Sequence, residues 1–494
     1  MSFIHKNIAA LFVFALAGSL GWMYGGTISS AVRPVIPWLV LIMIEIGLCF
    51  PQRREGESTG GARKRVWRSL KDDPLVWVAV ALLLLLSVPF LNNGREPPFK
   101  SLPYCVNMLR HYNVFLWFAS ALSAAVIAKH SLNRSGKRVL VEMLVWNGVA
   151  LAVLGFVQQV AGAPGPLWRD LGNGSGHFFS TFGYPNMAGD YFAVMFCLAI
   201  AQWRQRLDEV REFLHNSSSA NRVPRRKIFW FRHYMLIAAM IHFFAALTTL
   251  SRAAIIMVSV SAAVLLAHTG VMALSRMKKA DRVRAGAFCA LALLMVAVAA
   301  TAFMPDGVHR EMQTVDSREV LDRVTGRGED HATVAIQIWR EHMLFGCGGW
   351  GYVDLCVDKF PSKTHWGPGS ANVHNDHLQF LVEHGLIGYG LLVAAVVLLL
   401  IPVGKSWMTL ANGVRFLPKG RQPPPPQSFF AFPGSALSMI VAGIVPVVHA
   451  FGDCPLRSPA VLTLFFLTLS CVGGYLPRDT SENEDGRKRS KSKK

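Results

Sequence analysis

Of 494 residues, 52% are hydrophobic and only 16% charged. The apolar residues gather in runs of membrane-spanning length, which excludes a string of soluble domains and makes the bilayer the main solvent. The net charge of +20 comes with no basic stripe of interleaved aromatics and no nucleic-acid motif, so no nucleic-acid partner is expected.

About twelve apolar runs follow one another along the chain: Ile8–Tyr24, Val35–Phe50, Leu75–Leu91, Val114–Ala128, Val139–Ala161, Ala188–Trp203, Tyr234–Leu250, Ala253–His268, Ala285–Phe303, Leu386–Val403, Ser435–Ala450 and Ala460–Tyr475. Backbone in lipid must satisfy its own hydrogen bonds, so each run predicts a helix. The first follows Lys6 like a signal peptide, but eleven runs succeed it and no A-x-A-like cleavage site stands out. Only Ser251 and Arg252 separate the seventh run from the eighth. The fold class is therefore an all-α polytopic membrane protein of about 12 transmembrane helices.

With the N-terminus inside, about 36 of the 50 Lys and Arg fall on inner segments, as the positive-inside rule requires. Both termini are then cytoplasmic. The inner segments include RREGESTGGARKRVWRSLK, residues 204–233, SRMKKADRVR and the tail GRKRSKSKK. Outer segments include 92–112, 162–186 and the long stretch 304–384. At about eighty residues the last is too long for a plain connector and predicts a small folded lid. Within it, ATVAIQIWREHMLFG has the spacing of a short amphipathic helix. Pro423–Pro426 reads as a polyproline spacer and 476–494 as a disordered cytoplasmic tail. The chain divides into N-terminal helices over 1–232, a core region over 233–403 containing the 304–384 loop, and an inner loop with the last two helices over 404–475.

Four of the eight cysteines, Cys49, Cys197, Cys289 and Cys471, lie in apolar runs as small core residues. Cys105, Cys347, Cys356 and Cys454 lie outside, where an oxidising compartment permits disulfides. Cys347 with Cys356 is the local candidate, with four free thiols as the alternative.

Candidate chemistry collects on the outer side. VHNDHLQFLVEHG places His374, Asp376, His377, Glu383 and His384 just before an apolar run. As one continuous helix, His374, His377, Leu381 and His384 would share a side. Four readings compete: polar residues capping the next helix, a metal site, a pH sensor or proton path, and a general base whose imidazole accepts a proton near neutral pH. No H-E-x-x-H and no fixed third ligand support the metal. HFFSTFGYPNMAGDYF opens another helix, with Asn186 as its expected cap and free N–H groups for an anion. In TTLSRAAII, Arg252 stands between two apolar runs, where an arginine is costly unless it snorkels, pairs or lines a polar cavity. Its planar fork suits phosphate oxygens. RVTGRGED and REHMLFGCGGWGY add Arg323, Arg327 and Arg340, with glycines that allow tight turns. Cations, an imidazole and a membrane surface fit a lipid-linked diphosphate. No D-x-D in an outer loop points to a metal-assisted glycosyltransferase.

FSTFGYPNMAG, then LSRAA, then GR with FGCGGWGY, then HNDHLQFLVEHGLIG, in that order, resemble the O-antigen ligase and O-antigen polymerase superfamily. The best match runs from about Tyr234 to Val403. The resemblance implies a GT-C type glycosyltransferase of the bacterial inner membrane, with a large periplasmic loop. It would move a glycan from undecaprenyl diphosphate to an acceptor hydroxyl, with inversion and without metal or cofactor. His374 would be the catalytic histidine. Arg252 and Arg327 would bind diphosphate, with Arg323 able to replace Arg327. Asn375, His377, Asn186 and Arg340 are further expected substrate contacts. The acceptor would be lipid A core for a ligase or a growing glycan for a polymerase, and other members glycosylate proteins. The ligase is the first choice, on the closeness of the histidine motif. A transporter of a polar lipid is the reading from another class.

Overall fold

The computed structural model describes residues 3–23, 33–54, 56–99, 101–170, 178–216, 225–275, 286, 330–359, 372–411 and 433–476. Their helices are α1 (Phe3–Trp22), α2 (Val35–Cys49), α3 (Thr59–Asp72), α4 (Pro74–Ser87), α5 (Met108–Ser131), α6 (Arg134–Val160) and α7 (Pro185–Asn216). Then come α8 (Arg225–Thr248), α9 (Arg252–Ser275), α10 (Asp330–Glu341), α11 (Gly351–Lys359), α12 (Asp376–Ala411), α13 (Gly434–His449) and α14 (Pro459–Cys471). Among the described residues the only β pairing is two isolated bridges, Asn93 with Cys105 and Phe179 with Phe182. The chain is an all-α membrane protein.

Eleven of the expected apolar runs coincide with helices, and Ala285–Phe303 lies outside the described residues save for Gly286. Among the described residues five helices are long and apolar enough to span by themselves, and α3 with α4 forms a sixth candidate bent by 66°. The apolar helices at Lys6–Trp22, Val35–Cys49, Gly434–His449 and Pro459–Gly474 are shorter.

Local chemistry starts several of these helices. Asp73 accepts from the Leu75 N–H at 2.9 Å, with Pro74 as the first residue of α4. Asn107 accepts from Arg110 N–H at 3.1 Å and Asn133 from Gly136 N–H at 2.9 Å, opening α5 and α6. Ser458 and Pro459 do the same for α14.

The core is built around α7 and α14. Every residue from Ala188 to Gln202 is buried, as is every residue of α14. α8, α9, α13 and α6 pack on α7, while α5 and α13 pack on α14. At Gly189 a Cβ would come within 2.2 Å of Ala254 Cβ, so only glycine lets α7 approach the α8–α9 turn this closely.

A second, smaller core lies over one end of the helices. It joins Tyr104, Val334, Ala335, Ile338, Cys347, Tyr352, Val353 and Val382. The described part of the long segment is therefore folded on its own apolar centre. The amphipathic stretch forms α10 there, burying Val334, Ala335 and Ile338. Arg110 of α5 pairs with Asp354 of α11 at 2.9 Å, and Tyr104 Oη meets His342 Nε2 at 3.0 Å. Cys347 and Cys356 share this core without a disulfide, and Cys347 Sγ faces the Val382 carbonyl at 3.5 Å.

Candidate active site

α12 begins at Asp376, and the residues before it do not continue the helix. His374 has φ 53°, a left-handed conformation that a histidine adopts only when held there. This corrects the expectation of one histidine face: His374 turns away before the helix starts. Asn375 is the cap, its Oδ1 accepting from Leu378 N–H at 3.0 Å, and its amide donates to Phe451 O at 3.2 Å.

The hold on this turn comes from the α13–α14 loop. Asp376 N–H donates to Ala450 O at 2.9 Å, and Asp376 Oδ2 accepts from Leu456 N–H at 2.7 Å. From inside α12, Gln379 accepts from Val373 N–H at 3.1 Å and donates to Glu383 at 3.1 Å. Glu383 is buried and bidentate with Arg457, whose Nη2 lies 3.0 Å away. The guanidinium stands 4.2 Å from the Trp350 ring centroid, a cation–π contact.

Arg457 thus ties the histidine segment to the glycine-rich turn. Gly346 (φ 73°) and Gly348 (φ 80°) let that turn lie against the break in α12 at Gly385 (φ 64°, ψ −175°). Their backbones interlock, with Cys347 N–H donating to Val382 O and Gly348 N–H to Glu383 O. A Cβ at Gly385 would stand 2.2 Å from Leu344 O, so both glycine motifs are required by close backbone approach.

The centre of the site is Asp453. His374 Nδ1 lies 3.2 Å from its Oδ1. Tyr184 Oη donates to both carboxylate oxygens at 3.1 and 3.0 Å, the Asn186 amide donates to Oδ2, and Cys454 N–H donates to Oδ1 at 2.8 Å. Burial alone would push this carboxyl up, but the hydrogen bond from His374 and the nearby His449 hold it below the usual range. With Asp453 a carboxylate, His374 donates through Nδ1 and Nε2 becomes the basic nitrogen. The imidazole is about a third exposed while Asp453 is buried. Asn186 therefore grips the acid instead of capping α7, which corrects that expectation.

Behind this pair stands another. His449 Nδ1 meets Asp190 Oδ1 at 3.1 Å with both side chains buried. Asn186 and Asp190 are one turn apart on α7, so α7 meets the end of α13 and its loop through two polar contacts.

His377 directs both nitrogens inward, Nδ1 to Tyr389 Oη and Nε2 to Val447 O, each at 3.1 Å, and its ring packs on Phe451. The His331 ring sits edge-on to His374 at 6.0 Å. Arg252 is the first residue of α9, half-buried, in the turn that Gly189 admits. Arg340 is exposed near the end of α10. Arg323 and Arg327 lie outside the described residues.

His374, Asp453 and Cys454 bring ligand atoms within 4.8 Å of one another. The donor set argues against a cation there. Both Asp453 oxygens already accept N–H or O–H groups, and burial pushes the Cys454 thiol well up, away from the thiolate a metal needs.

Residues 237–393 match the family model for O-antigen ligase. This stretch is similar to the O-antigen ligase family. No curated protein matches the chain. The matched stretch holds Arg252, Arg323, Arg327, Arg340, His374, Asn375 and His377. Tyr184 and Asn186 lie before it, and Asp453 and Arg457 after it. Sequence reading missed Asp453, Asp190, His449 and the Glu383–Arg457 pair. One signal was available: between Gly434 and Leu476 the only Asp, Glu, Lys or Arg residues are Asp453 and Arg457, four positions from each other.

Proposed function

We propose that the chain is a membrane glycosyltransferase of the O-antigen ligase kind, acting at the periplasmic face of a bacterial inner membrane with both termini in the cytoplasm. It moves a glycan from undecaprenyl diphosphate to an acceptor hydroxyl, lipid A core being the acceptor favoured. The observation that carries the reading is the His374–Asp453 pair at 3.2 Å, whose histidine lies inside the stretch matched to O-antigen ligase.

In this reading Asp453 holds Nδ1 as the donor so that Nε2 serves as the base. The acceptor hydroxyl gives its proton to Nε2 as its oxygen bonds to the anomeric carbon. The bond from that carbon to the diphosphate oxygen breaks on the opposite side, which inverts the centre. Diphosphate leaves with the electron pair, and Arg252, with Arg327 or Arg323, holds its charge. The residues supply base and cations without a metal or nucleotide.

The test compares surface and lipid-linked glycans in cells with the intact chain, no chain, or His374→Ala at equal membrane abundance. Glycan lost from lipid A core, with long chains kept on the carrier, supports the ligase. Single repeat units in place of long chains would make it a polymerase. Unchanged glycans in the variant would refute the role of His374 and favour a protein acceptor or a transporter. Transfer by the purified protein is expected to continue in excess EDTA.

A further inference from the structure

α3 has a chemistry opposite to that of the spans around it. It follows Ser58, whose Oγ accepts from Gly61 N–H at 3.1 Å, and ends at Asp73, where the chain bends 66° into α4. Ala62, Val66 and Ser69 recur at i, i+4 and i+7, and the first two are buried. Arg65 donates to Glu57 and to Gln52 O, and Ser69 Oγ meets His130 Nδ1 at 2.7 Å. Lys129 and His130 both reach Asp73. This side of α3 is thereby fastened across the ends of α2 and α5.

The other side carries Lys64, Trp67, Arg68 and Lys71 at i, i+3, i+4 and i+7, all exposed, Trp67 at 52%. That is one stripe of three cations around an indole, which corrects the expectation of no such stripe, and its one neighbouring acid is the exposed Asp72 at the end of the helix. Its position matters as much as its charge. Trp77 Nε1 donates to Lys71 O at 3.0 Å, and Trp77, Val80 and Leu84 form an exposed apolar stripe down α4. Lipid that coats α4 therefore presents its headgroups at the level of Lys71 and Trp67.

We infer that α3 is an in-plane binding site for anionic phospholipid headgroups. Cations take the phosphates while the indole seats at the interface, which indoles favour. The inference is independent of the reaction proposed above, because it uses none of the residues placed at His374.

The test uses the full chain reconstituted in vesicles of phosphatidylcholine with phosphatidylglycerol, one of the two brominated at a time. Trp67 quenching is isolated by difference from Trp67→Phe. Brominated phosphatidylglycerol is expected to quench Trp67 several-fold more than brominated phosphatidylcholine at equal content. Raised salt should shrink that preference, and Lys64→Gln/Arg68→Gln/Lys71→Gln should cut it about fivefold or more. A conservative Lys64→Arg/Lys71→Arg variant, which keeps the charge, should retain it. Equal quenching by the two lipids would overturn the site. So would a Trp67 that neither lipid quenches, which would turn the stripe toward water and an acidic protein partner.

Discussion

At the scale of the residue, Asp453 does the most with the least space. It is a buried carboxylate gripped by a phenol, an amide, a backbone N–H and an imidazole. Asp453→Asn keeps the shape but removes the charge, and an amide can present its NH2 to Nδ1 and reverse the tautomer. Glycan transfer by that variant is expected to fall by roughly 10²–10⁴-fold, the range for losing a positioned general base. The same group has a consequence for stability. Because its folded pKa is depressed, its stabilisation is present above the ordinary carboxylate pKa and is lost as pH falls through the lowered value. The melting-temperature gap between the intact chain and Asp453→Asn in detergent should be widest near neutral pH and close toward strongly acid pH. A gap that is constant with pH would remove the carboxylate's charge from the explanation.

At the scale of the element, the glycine-rich turn and the broken helix α12 behave as one part fastened by Arg457. Arg457→Met alone leaves Glu383 charged and buried, at a cost of about 3–5 kcal/mol. Arg457→Met/Glu383→Met removes both charges and should recover part of that loss in a thermal unfolding series. A double variant no better than the single one would mean that the guanidinium matters through its stacking on Trp350. Elements were also where sequence reading worked best. Eleven apolar runs predict helices that are there, because a lipid-length run leaves the backbone no alternative. α3 escaped, being too polar to register as a span and carrying its pattern in only two buried apolar side chains. His374 was legible from its motif. Its partner was not, because 79 positions of chain separate them and only the packing of α13 and α14 brings them together.

At the scale of the whole molecule, the site is assembled from widely separated parts of the chain. Tyr184 stands just before α7 and Asn186 in its first turn, α12 follows His374, and the α13–α14 loop supplies Asp453. The segment matched as O-antigen ligase ends at residue 393, about sixty positions short of that aspartate. Modular exchange between relatives would therefore fail along its most obvious seam. A chimera that grafts only 237–393 into a relative matching the same family model brings His374 to a foreign carboxylate and a foreign amide, so recovery of transfer depends on how the host fills those two positions. A graft extended through Tyr184 at one end and Leu476 at the other transplants the histidine with its own grip, and should restore glycan attachment where the shorter graft does not.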